Sequence, residues 1–368
     1  MLIEDVYSSQ VGVGESLRGR SDLAQKYISR GDLFALGELY VQEKWQTDNL
    51  FAELAQALRA PASKAVLFKP QTLALAARDR FLNSQRGHGV FEVAERHYDL
   101  GNELFDSMLD ESRSYTCGYW LTAKSLAEAQ TAKLDLICRK LSLSPGMKVL
   151  DIGCGWGNFA EFAARNFGVN VVGVTISKEQ AAFATSRCAN LPVRIEFKDY
   201  LEIEGKFDRV VSIEMIEAVG RKNLTRYFGK VDSLLAADGL FLLQVISADS
   251  FSRTSHAPLD SFILYLLKYI FPNGYLPSLK LLVDPLMGKL RLEDLHNFSS
   301  DYALTLDAWH TNFMEGWPKL ARRFRGEFKR MWKFYLEGCR ACFAERHVQL
   351  YQAVYSKARS IHGYQSYR

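Results

Sequence analysis

The sequence predicts an α/β protein in which helices cover both faces of a parallel sheet, preceded by a smaller, mainly helical domain. Three observations predict this fold. From Pro145 onward, short apolar segments alternate with helical patterns, which is typical of strand–helix–strand units. The first apolar segment ends in a glycine-rich turn. With 368 residues, 48% of them hydrophobic, the chain can form one large and one small domain.

The chain is predicted to divide near residue 83. Residues 1–82 contain helical patterns such as Leu33–Val41 and a basic, alanine-rich segment over 52–80, but no chemical motif. Residues 83–89 (Asn-Ser-Gln-Arg-Gly-His-Gly) are polar and contain glycine, which is typical of a linker. We therefore predict a helical accessory domain over 1–82, a linker over 83–89 and a second domain over 90–368.

Five strands are predicted in the second domain. They cover Lys148–Ile152, Val169–Val174, Val193–Phe197, Phe207–Ile213 and Leu240–Ile246, and helices are predicted from Lys178 and Asn223. Residues 249–292 break this rhythm with aromatic and proline residues, and we expect them to shape a substrate pocket. Because ligands of parallel sheets bind at the carboxyl ends of the strands, Gly153, Thr175 and Asp199 are candidate positions.

The composition argues against several classes of protein. The longest apolar runs, 262–271 and 240–246, are shorter than the 18 or more residues that a membrane span needs. Six cysteines without a framework spacing, and no charged-then-apolar leader, favour a reducing cytoplasm without disulfides. A net charge of +4 favours an anionic partner such as an acidic lipid surface, and we expect no nucleic-acid partner.

The glycine turn after the first strand is a candidate cofactor site. Gly153, Gly155 and Gly157 follow Asp151, and alternating glycines let the backbone approach a ligand closely. A dinucleotide site would need the spacing G-x-G-x-x-G and an acid after the next strand, but Thr175 stands there. No Gly-Lys-Ser/Thr follows, as a phosphate-binding loop would require. The remaining common cofactor is S-adenosylmethionine.

Six segments occur in an order that carries a resemblance. They are His97–Asn102 (HYDLGN), Tyr115–Trp120 (YTCGYW), the glycine turn, Val174–Gln180 (VTISKEQ), Ile213–Gly220 (IEMIEAVG) and Lys268–Gly274 (KYIFPNG). Together they resemble the cyclopropane fatty acid synthase family of S-adenosylmethionine-dependent methyltransferases, from about Glu95 to the C-terminus. The resemblance implies a Rossmann-like methyltransferase domain. It also implies methyl transfer to a cis double bond of a phospholipid acyl chain, followed by proton loss and closure to a cyclopropane.

The resemblance also implies a set of catalytic residues. The family's base is a bound bicarbonate, and Cys117, Glu217, Tyr302 and the backbone of Ile246 match the groups that hold it. Gln244 stands where a histidine is usual, and an amide can donate to the anion but cannot share a proton with it. Cys339 matches a residue considered catalytic in the family. From its sequence context alone, a helical pattern without further ligands, Cys339 would be an inert thiol like Cys342.

Further residues are implied for the cofactor and for partners. Tyr115 and Thr116 match residues that close over the methionine end, while Thr175 and Gln180 can bind the ribose. Asp199 can accept a hydrogen bond from adenine, although an aspartate that begins a loop is equally common. The implied partner is the inner face of a phospholipid membrane with unsaturated acyl chains, contacted peripherally through the N-terminal domain. A homodimer is the assembly considered.

Three alternatives remain open at this point. The same cofactor chemistry can give methylene or methyl branches instead of a cyclopropane ring. The glycine and Ile-Glu-Met motifs also occur in plant N-methyltransferases, whose amine substrates need no bicarbonate. A noncatalytic lipid-binding protein with this fold would bind anionic vesicles without turning over the cofactor.

Overall fold

The computed structural model describes residues 22–61, 101–248, 257–272, 274–285, 288–357 and 363–368. The chain forms two compact units. The helical unit comprises residues 1–82, 250–272 and 309–347, and the sheet unit comprises residues 83–249, 273–308 and 348–368. The predicted linker over 83–89 and the His97 motif up to residue 100 lie outside the described residues.

The sheet unit contains a seven-stranded mixed sheet in the order β3-β2-β1-β4-β5-β7-β6. Its strands are β1 (Lys148–Ile152), β2 (Asn170–Thr175), β3 (Val193–Phe197), β4 (Phe207–Ile213), β5 (Leu235–Ser247), β6 (Leu290–Asn297) and β7 (Gln349–Lys357). Strands β1 to β5 pair in parallel, whereas β7 pairs antiparallel with both β5 and β6. The five predicted strands and the α/β class are confirmed, while the antiparallel edge was not predicted.

The helices of the described residues follow one another as α1 (Leu33–Val41), α2 (Leu50–Arg59), α3 (Asn102–Met108), α4 (Leu126–Lys140), α5 (Asn158–Phe167), α6 (Lys178–Arg187), α7 (Leu224–Leu234), α8 (Ala257–Tyr269), α9 (Leu279–Val283), α10 (Ser300–Leu320) and α11 (Gly326–Ala344). Side-chain caps define several starts. Ser125 accepts a hydrogen bond from the backbone N–H of Glu128 in α4, and Ser177 accepts one from Gln180 in α6. The helices predicted from Lys178 and Asn223 are confirmed.

The sheet has an apolar core on each face, because strand side chains alternate between the two sides. In β5, Leu243 belongs to one core and Leu242 to the other. The first core also contains Tyr227 and Phe228 of α7, and the second contains Phe159 of α5. The central strands β1 and β2 are therefore largely buried apolar runs, as expected for a parallel sheet covered on both faces, whereas β3 at the edge alternates apolar and charged residues.

The strand order reverses next to β1, which fixes where a ligand can bind. The chain runs from β1 outward to β3 and then returns to place β4 on the other side of β1. The carboxyl ends of β1 and β4 are therefore neighbours from which the connections diverge, and such a switch point leaves a crevice. The glycine turn follows β1, and residues 214–217 follow β4.

The helical unit buries the apolar faces of its helices against one another. Helix α1 packs on α8 and α11, and α2 packs on α11. Fully buried side chains include Leu36, Tyr40 and Leu54 from the N-terminal helices and Trp332 from α11. Two helices of nine and ten residues are too short to be stable alone, so they share a core with later segments. Residues 250–272 and 309–347 were predicted to belong to the second domain, and this packing groups them with the N-terminal helices.

No helix in the described part of the chain combines the length and apolar character needed to cross a bilayer.

A buried ion pair secures the antiparallel edge of the sheet unit. A bulge in β6 sets Leu292 opposite Tyr355 but Asp294 opposite Val354, so the two side chains point to different faces. Asp294 thereby reaches Lys140 of α4, at 3.3 Å between Oδ2 and Nζ, with both side chains almost fully buried. Arg368 also donates to Asp294, at 2.6 Å. Burial lowers the pKa of Lys140 to about 8, and the charge of Asp294 opposes this.

We expect Asp294→Asn to lower the free energy of unfolding by about 3 kcal/mol, because it leaves the Lys140 charge buried without a carboxylate. Urea denaturation measures this change. Asp232→Asn is the matched control, since Asp232 and Lys357 form a partly exposed pair at 3.7 Å. Its loss should not exceed about 1 kcal/mol. Equal losses in the two variants would contradict a structural role for the buried pair.

Candidate active site

The glycine turn after β1 has a backbone that requires glycine. Gly153, Gly155 and Gly157 have φ values of +81°, +53° and +82°, which L side chains rarely adopt. A Cβ atom at Gly153 would lie 2.5 Å from Cγ of Met215, and one at Gly157 would lie 2.9 Å from Cβ of Ala184. At Gly155 a Cβ atom would meet no atom within 4 Å. The turn is therefore packed at both ends and open in the middle, where a ligand can approach the backbone.

A buried acid and a buried base lie behind this turn. Asp151 ends β1, and its Oδ2 atom has no hydrogen-bond partner among the described residues. Burial raises the pKa of Asp151 to about 7, while the charge of Lys133 in α4 opposes that increase. Burial also lowers the pKa of Lys133 to about 8. Lys133 was not predicted, although it interrupts the buried face of α4 together with Gln130, which is an unusual place for polar residues.

Tyr115 and Thr116 are held beside the glycine turn. The ring of Phe105 in α3 packs against both Tyr115 and Trp156, with centroid distances of 5.3 and 5.0 Å. Lys133 donates to the Thr116 hydroxyl at 3.0 Å, and Gln130 donates to the Thr116 carbonyl at 2.7 Å. Gln130 and Lys133, on the buried face of α4, thus position one segment. This segment is the one predicted to close over the cofactor, and its role stays a prediction.

The ends of β2 and β3 present the residues predicted to bind ribose and adenine. The Thr175 hydroxyl donates to Oε1 of Gln180 at 2.9 Å and accepts from the backbone N–H of Ser177. Thr175 therefore orients Gln180. Asp199 accepts a hydrogen bond from the backbone N–H of Leu201 and caps a short 3₁₀ turn. This is the local structural role that was considered for it beside adenine binding. The ribose and adenine contacts stay predictions.

The carboxylate at the centre of the predicted catalytic residues is Glu214, directly after β4. Its Oε1 atom accepts from the backbone N–H of Cys117 at 3.0 Å and from Nε2 of Gln244 at 2.6 Å. Its Oε2 atom accepts from the Tyr302 hydroxyl at 2.5 Å. Glu217 was the predicted acid of this segment, and its role stays a prediction; Glu214 was not predicted. The segment Ile-Glu-Met-Ile-Glu contains two acids, and this was the signal in the sequence from which Glu214 could have been proposed.

Glu217 lies next to this group but binds a different donor. Its Oε1 atom accepts from the backbone N–H of Ile246 at 2.6 Å, and its buried Oε2 atom has no partner in the described structure. Burial raises the pKa of Glu217 to about 8, and the nearby charge of Glu214 adds to the increase. Glu217 is therefore mostly protonated at neutral pH.

Gln244 is oriented by a second glutamine in the neighbouring strand. Gln352 of β7 lies opposite Gln244 of β5 in the antiparallel register and donates to its Oε1 atom at 2.9 Å. This bond leaves the amide nitrogen of Gln244 directed at Glu214. The amide donor of Gln244 therefore has an acceptor within the protein, the Glu214 carboxylate. Gln352 was not predicted, because its partner lies 108 positions away in sequence.

Five of the six cysteines are buried, Cys339 is partly buried, and the thiols predicted to be catalytic are weakly acidic. The Cys117 Sγ atom donates to the carbonyl of Gly118 and lies 3.7 Å from the Thr305 hydroxyl. Burial raises the pKa of Cys117 well above its usual value, so Cys117 contributes its backbone N–H to the site. Cys339 belongs to α11 in the helical unit, and burial raises its thiol pKa too. The group around Glu214 does not include it.

The predicted catalytic residues Cys117, Glu217, Gln244, Ile246 and Tyr302 are thus brought together around Glu214, all within the sheet unit. No group of three or more metal-binding side chains occurs among the described residues. The site can bind a cofactor at the glycine turn and can accept a proton beside it.

Comparisons with known proteins indicate what this site does. Residues 86–353 match the family model for mycolic acid cyclopropane synthetase. The cyclopropane-fatty-acyl-phospholipid synthase of Escherichia coli K12 is 42% identical over 336 residues, which cover 91% of this chain and 86% of that protein. The tuberculostearic acid methyltransferase UfaA1 of Mycobacterium tuberculosis is 32% identical over 355 residues, covering 90% of this chain and 81% of that protein.

Solved structures agree with this fold. The mycolic acid cyclopropane synthase CmaA1, complexed with SAH and CTAB, superposes with a TM-score of 0.68 at 30% identity, covering 73% of this chain and 98% of that chain. Coclaurine N-methyltransferase, bound to N-methylheliamine and SAH, gives a TM-score of 0.65 at 17% identity, covering 88% of this chain and 99% of that chain. At 17% identity, the similarity to coclaurine N-methyltransferase supports the fold alone.

We expect Gly155→Ala to weaken S-adenosylmethionine binding by about tenfold or more, since the added methyl group fills the open space beside the turn. Isothermal titration calorimetry measures this affinity. Gly146→Ala is the matched control, because Gly146 also has a positive φ, +85°, with no atom within 4 Å of a Cβ atom. Both variants should lose about 1 kcal/mol of stability from backbone strain. Unchanged binding by Gly155→Ala would place the cofactor elsewhere.

The raised pKa of Glu217 makes a prediction about stability and pH. Glutamate in an unfolded chain ionises near pH 4.3, whereas Glu217 keeps its proton in the folded protein until about pH 8, so rising pH over this range favours the unfolded state. We expect the melting temperature of Glu217→Gln, relative to the parent, to increase between pH 5 and pH 9. Glu204→Gln replaces an exposed carboxylate and serves as the control. A constant difference across this range would contradict the raised pKa.

Proposed function

The chain belongs to the mycolic acid cyclopropane synthetase family, and on this premise we propose that it is a cyclopropane-fatty-acyl-phospholipid synthase. Its substrate is then the cis double bond of a phospholipid acyl chain, and its cofactor is S-adenosylmethionine. The observation that carries the proposal is the carboxylate pair after β4, next to the glycine turn after β1. Methyl transfer and proton removal need these two features side by side.

The residues present fit S-adenosylmethionine. When bound, this cofactor supplies an electrophilic methyl group on a sulfonium sulfur. The open space at Gly155 admits a ligand to the backbone, and the unpartnered Oδ2 atom of Asp151 can accept a hydrogen bond from it. Gln180 and Asp199 follow the next two strands, where the sugar and base of a nucleoside would lie. Tyr115 and Thr116 cover the opposite end of the site.

The proposed reaction explains the character of the site. An alkene is a weak nucleophile, so the double bond must be aligned with the methyl group in a place from which water is excluded. The cation formed on the acyl chain then needs nearby negative charge and a proton acceptor. We assign both to Glu214: burial raises its pKa, and the hydrogen bonds from Tyr302, Gln244 and the backbone of Cys117 oppose that increase and favour the ionised form.

Bicarbonate does not fit the site as it stands. The Tyr302 hydroxyl and the backbone N–H of Cys117, which the resemblance assigns to the anion, both donate to Glu214. The backbone N–H of Ile246 donates to Glu217. Because the donors are already bonded to side-chain carboxylates, no step of the proposed mechanism passes through bicarbonate.

The acyl substrate places the enzyme at a membrane. We propose that it acts peripherally at the inner face of the cytoplasmic membrane, with the N-terminal helices engaging lipid. The net charge of +4 supports attraction to anionic lipids. Sedimentation of the full chain with phosphatidylglycerol or phosphatidylcholine vesicles tests this attraction, and light scattering distinguishes a monomer from a homodimer.

We expect the purified protein, incubated with S-adenosylmethionine and vesicles of a cis-monounsaturated phospholipid, to add one CH₂ group to the acyl chains. Mass spectrometry detects this gain, and proton NMR should show upfield cyclopropyl signals. Vinylidene or methyl signals would instead identify a branching enzyme. The 32% identity to a tuberculostearic acid methyltransferase makes that the second candidate.

The remaining alternatives have their own outcomes in this assay. Methylation of a small amine without any change in the lipid would identify an N-methyltransferase, with activity that survives Glu217→Gln. Vesicle binding without consumption of the cofactor would identify a noncatalytic lipid-binding protein. Either result would overturn the proposed function.

A further inference from the structure

Glu214 occupies the position in the sheet unit where donors from three parts of the chain converge. Its carboxylate receives hydrogen bonds from the backbone of Cys117, from Gln244 of β5 and from Tyr302 of α10. The residue is only partly buried, whereas Asp151 is almost fully buried. A carboxylate that is firmly held and still accessible is suited to accept a proton from a bound molecule.

The backbone at Glu214 supports a functional role. Its φ value is +50°, in the left-handed region that residues with a side chain seldom occupy. Such a conformation is unfavourable for a residue with a Cβ atom and persists only where surrounding contacts impose it. Here the backbone N–H of Glu214 donates to the Gln244 carbonyl at 2.8 Å, and its side chain returns to the Gln244 amide. Strain of this kind is concentrated at functional sites.

We propose that Glu214 is the general base of this enzyme and takes the place that bicarbonate would otherwise fill. This inference rests on the proposed function. Once the methyl group has bonded to one alkene carbon, the other alkene carbon is cationic. The Glu214 carboxylate removes a proton from the transferred methyl group, and the electrons of that C–H bond form the third bond of the ring. The carboxylic acid then releases its proton to solvent.

The neighbouring acid is less suited to this role. Burial and the charge of Glu214 both raise the pKa of Glu217, so that at neutral pH the pair carries mainly one negative charge. The three donors around Glu214 favour the ionised form there, although burial raises its pKa as well. The Oε1 atom of Glu217 accepts from the Ile246 backbone, whereas its Oε2 atom has no partner among the described residues. Within the pair, the three hydrogen bonds therefore favour Glu214 as the ionised member.

Three hydrogen bonds make a carboxylate a weaker base, which this reaction tolerates. Loss of a proton from the transferred methyl group quenches the carbocation as the ring closes, so even a weak base can accept that proton. The hydrogen bonds also fix the carboxylate and discourage it from attacking the cation as a nucleophile. Gln244 suits this arrangement because its amide donates to a permanent carboxylate, and its orientation is set by Gln352.

Two substitutions at one position test the proposal. Glu214→Gln keeps the size of the side chain but cannot accept the proton, so cyclopropane formation should fall about 10²- to 10⁴-fold. Glu214→Gly keeps the positive φ without strain and opens space between the Tyr302 hydroxyl and the Gln244 amide. Added bicarbonate should therefore restore activity in Glu214→Gly but not in Glu214→Gln. The parent enzyme should be fully active in buffer depleted of carbon dioxide.

Binding provides a readout that is independent of turnover. The carbon-13 NMR signal of labelled bicarbonate should broaden with cofactor-free Glu214→Gly and remain sharp with the parent and with Glu214→Gln. Circular dichroism and S-adenosylmethionine affinity report whether each variant is folded. If Glu214→Gln fails to fold, Glu214→Asp replaces it, and its retracted carboxylate should give an intermediate rate without bicarbonate dependence. Glu204→Gln controls for the loss of a surface charge.

The outcomes separate this inference from the proposed function. A parent that makes cyclopropane only with bicarbonate, or a Glu214→Gln variant as active as the parent, would overturn the role of Glu214 alone. A parent that forms no lipid product under any buffer condition would overturn the proposed function. Bicarbonate binding to the parent would also contradict the inference, because the carboxylate should exclude the anion.

Discussion

The hydrogen bonds that converge on the Glu214 carboxylate are the constraint on which the site depends. They connect the end of β4 to the loop before α4, to β5 and to the start of α10, across separations of 97, 30 and 88 positions. A carboxylate that is partly withdrawn from water loses some of its hydration and needs donors in return, so these segments are held in one arrangement. The same arrangement sets Met215 against Gly153, and the proton acceptor is thereby kept at a fixed place beside the cofactor turn.

Charge balance inside the sheet unit follows from the same constraint. Asp151, Glu214 and Glu217 bring three acids into a small volume, and Lys133 is the buried base whose charge acts on Asp151 and Glu214. One lysine cannot neutralise three carboxylates, so some of these acids retain a proton at a higher pH than usual. Burial accordingly raises the pKa of Asp151 to about 7 and that of Glu217 to about 8. A site built in this way can hold a cationic cofactor and afterwards take up a proton.

The two compact units have different tasks in the proposed enzyme. In the described residues, the glycine turn, the carboxylate pair and the groups that position them all belong to the sheet unit. The helical unit combines the N-terminal helices with α8 and α11 through a shared apolar core. Because α8 interrupts the chain between β5 and β6, the aromatic insertion noticed in the sequence supplies part of that core as well as the connection back to the sheet.

The sequence alone determined the parallel strands β1 to β5, the cofactor turn and the family. These are local properties, since a buried parallel strand is an apolar run and a turn with three positive φ values requires glycine. The antiparallel strands β6 and β7 and the buried role of Lys133 depended on partners far along the chain. Which of the two acids receives the three hydrogen bonds was likewise decided only by the tertiary structure. The acids lie three positions apart, and the one that meets Cys117, Gln244 and Tyr302 is selected by strand register and by the bend of the backbone after β4, which no short segment of sequence encodes.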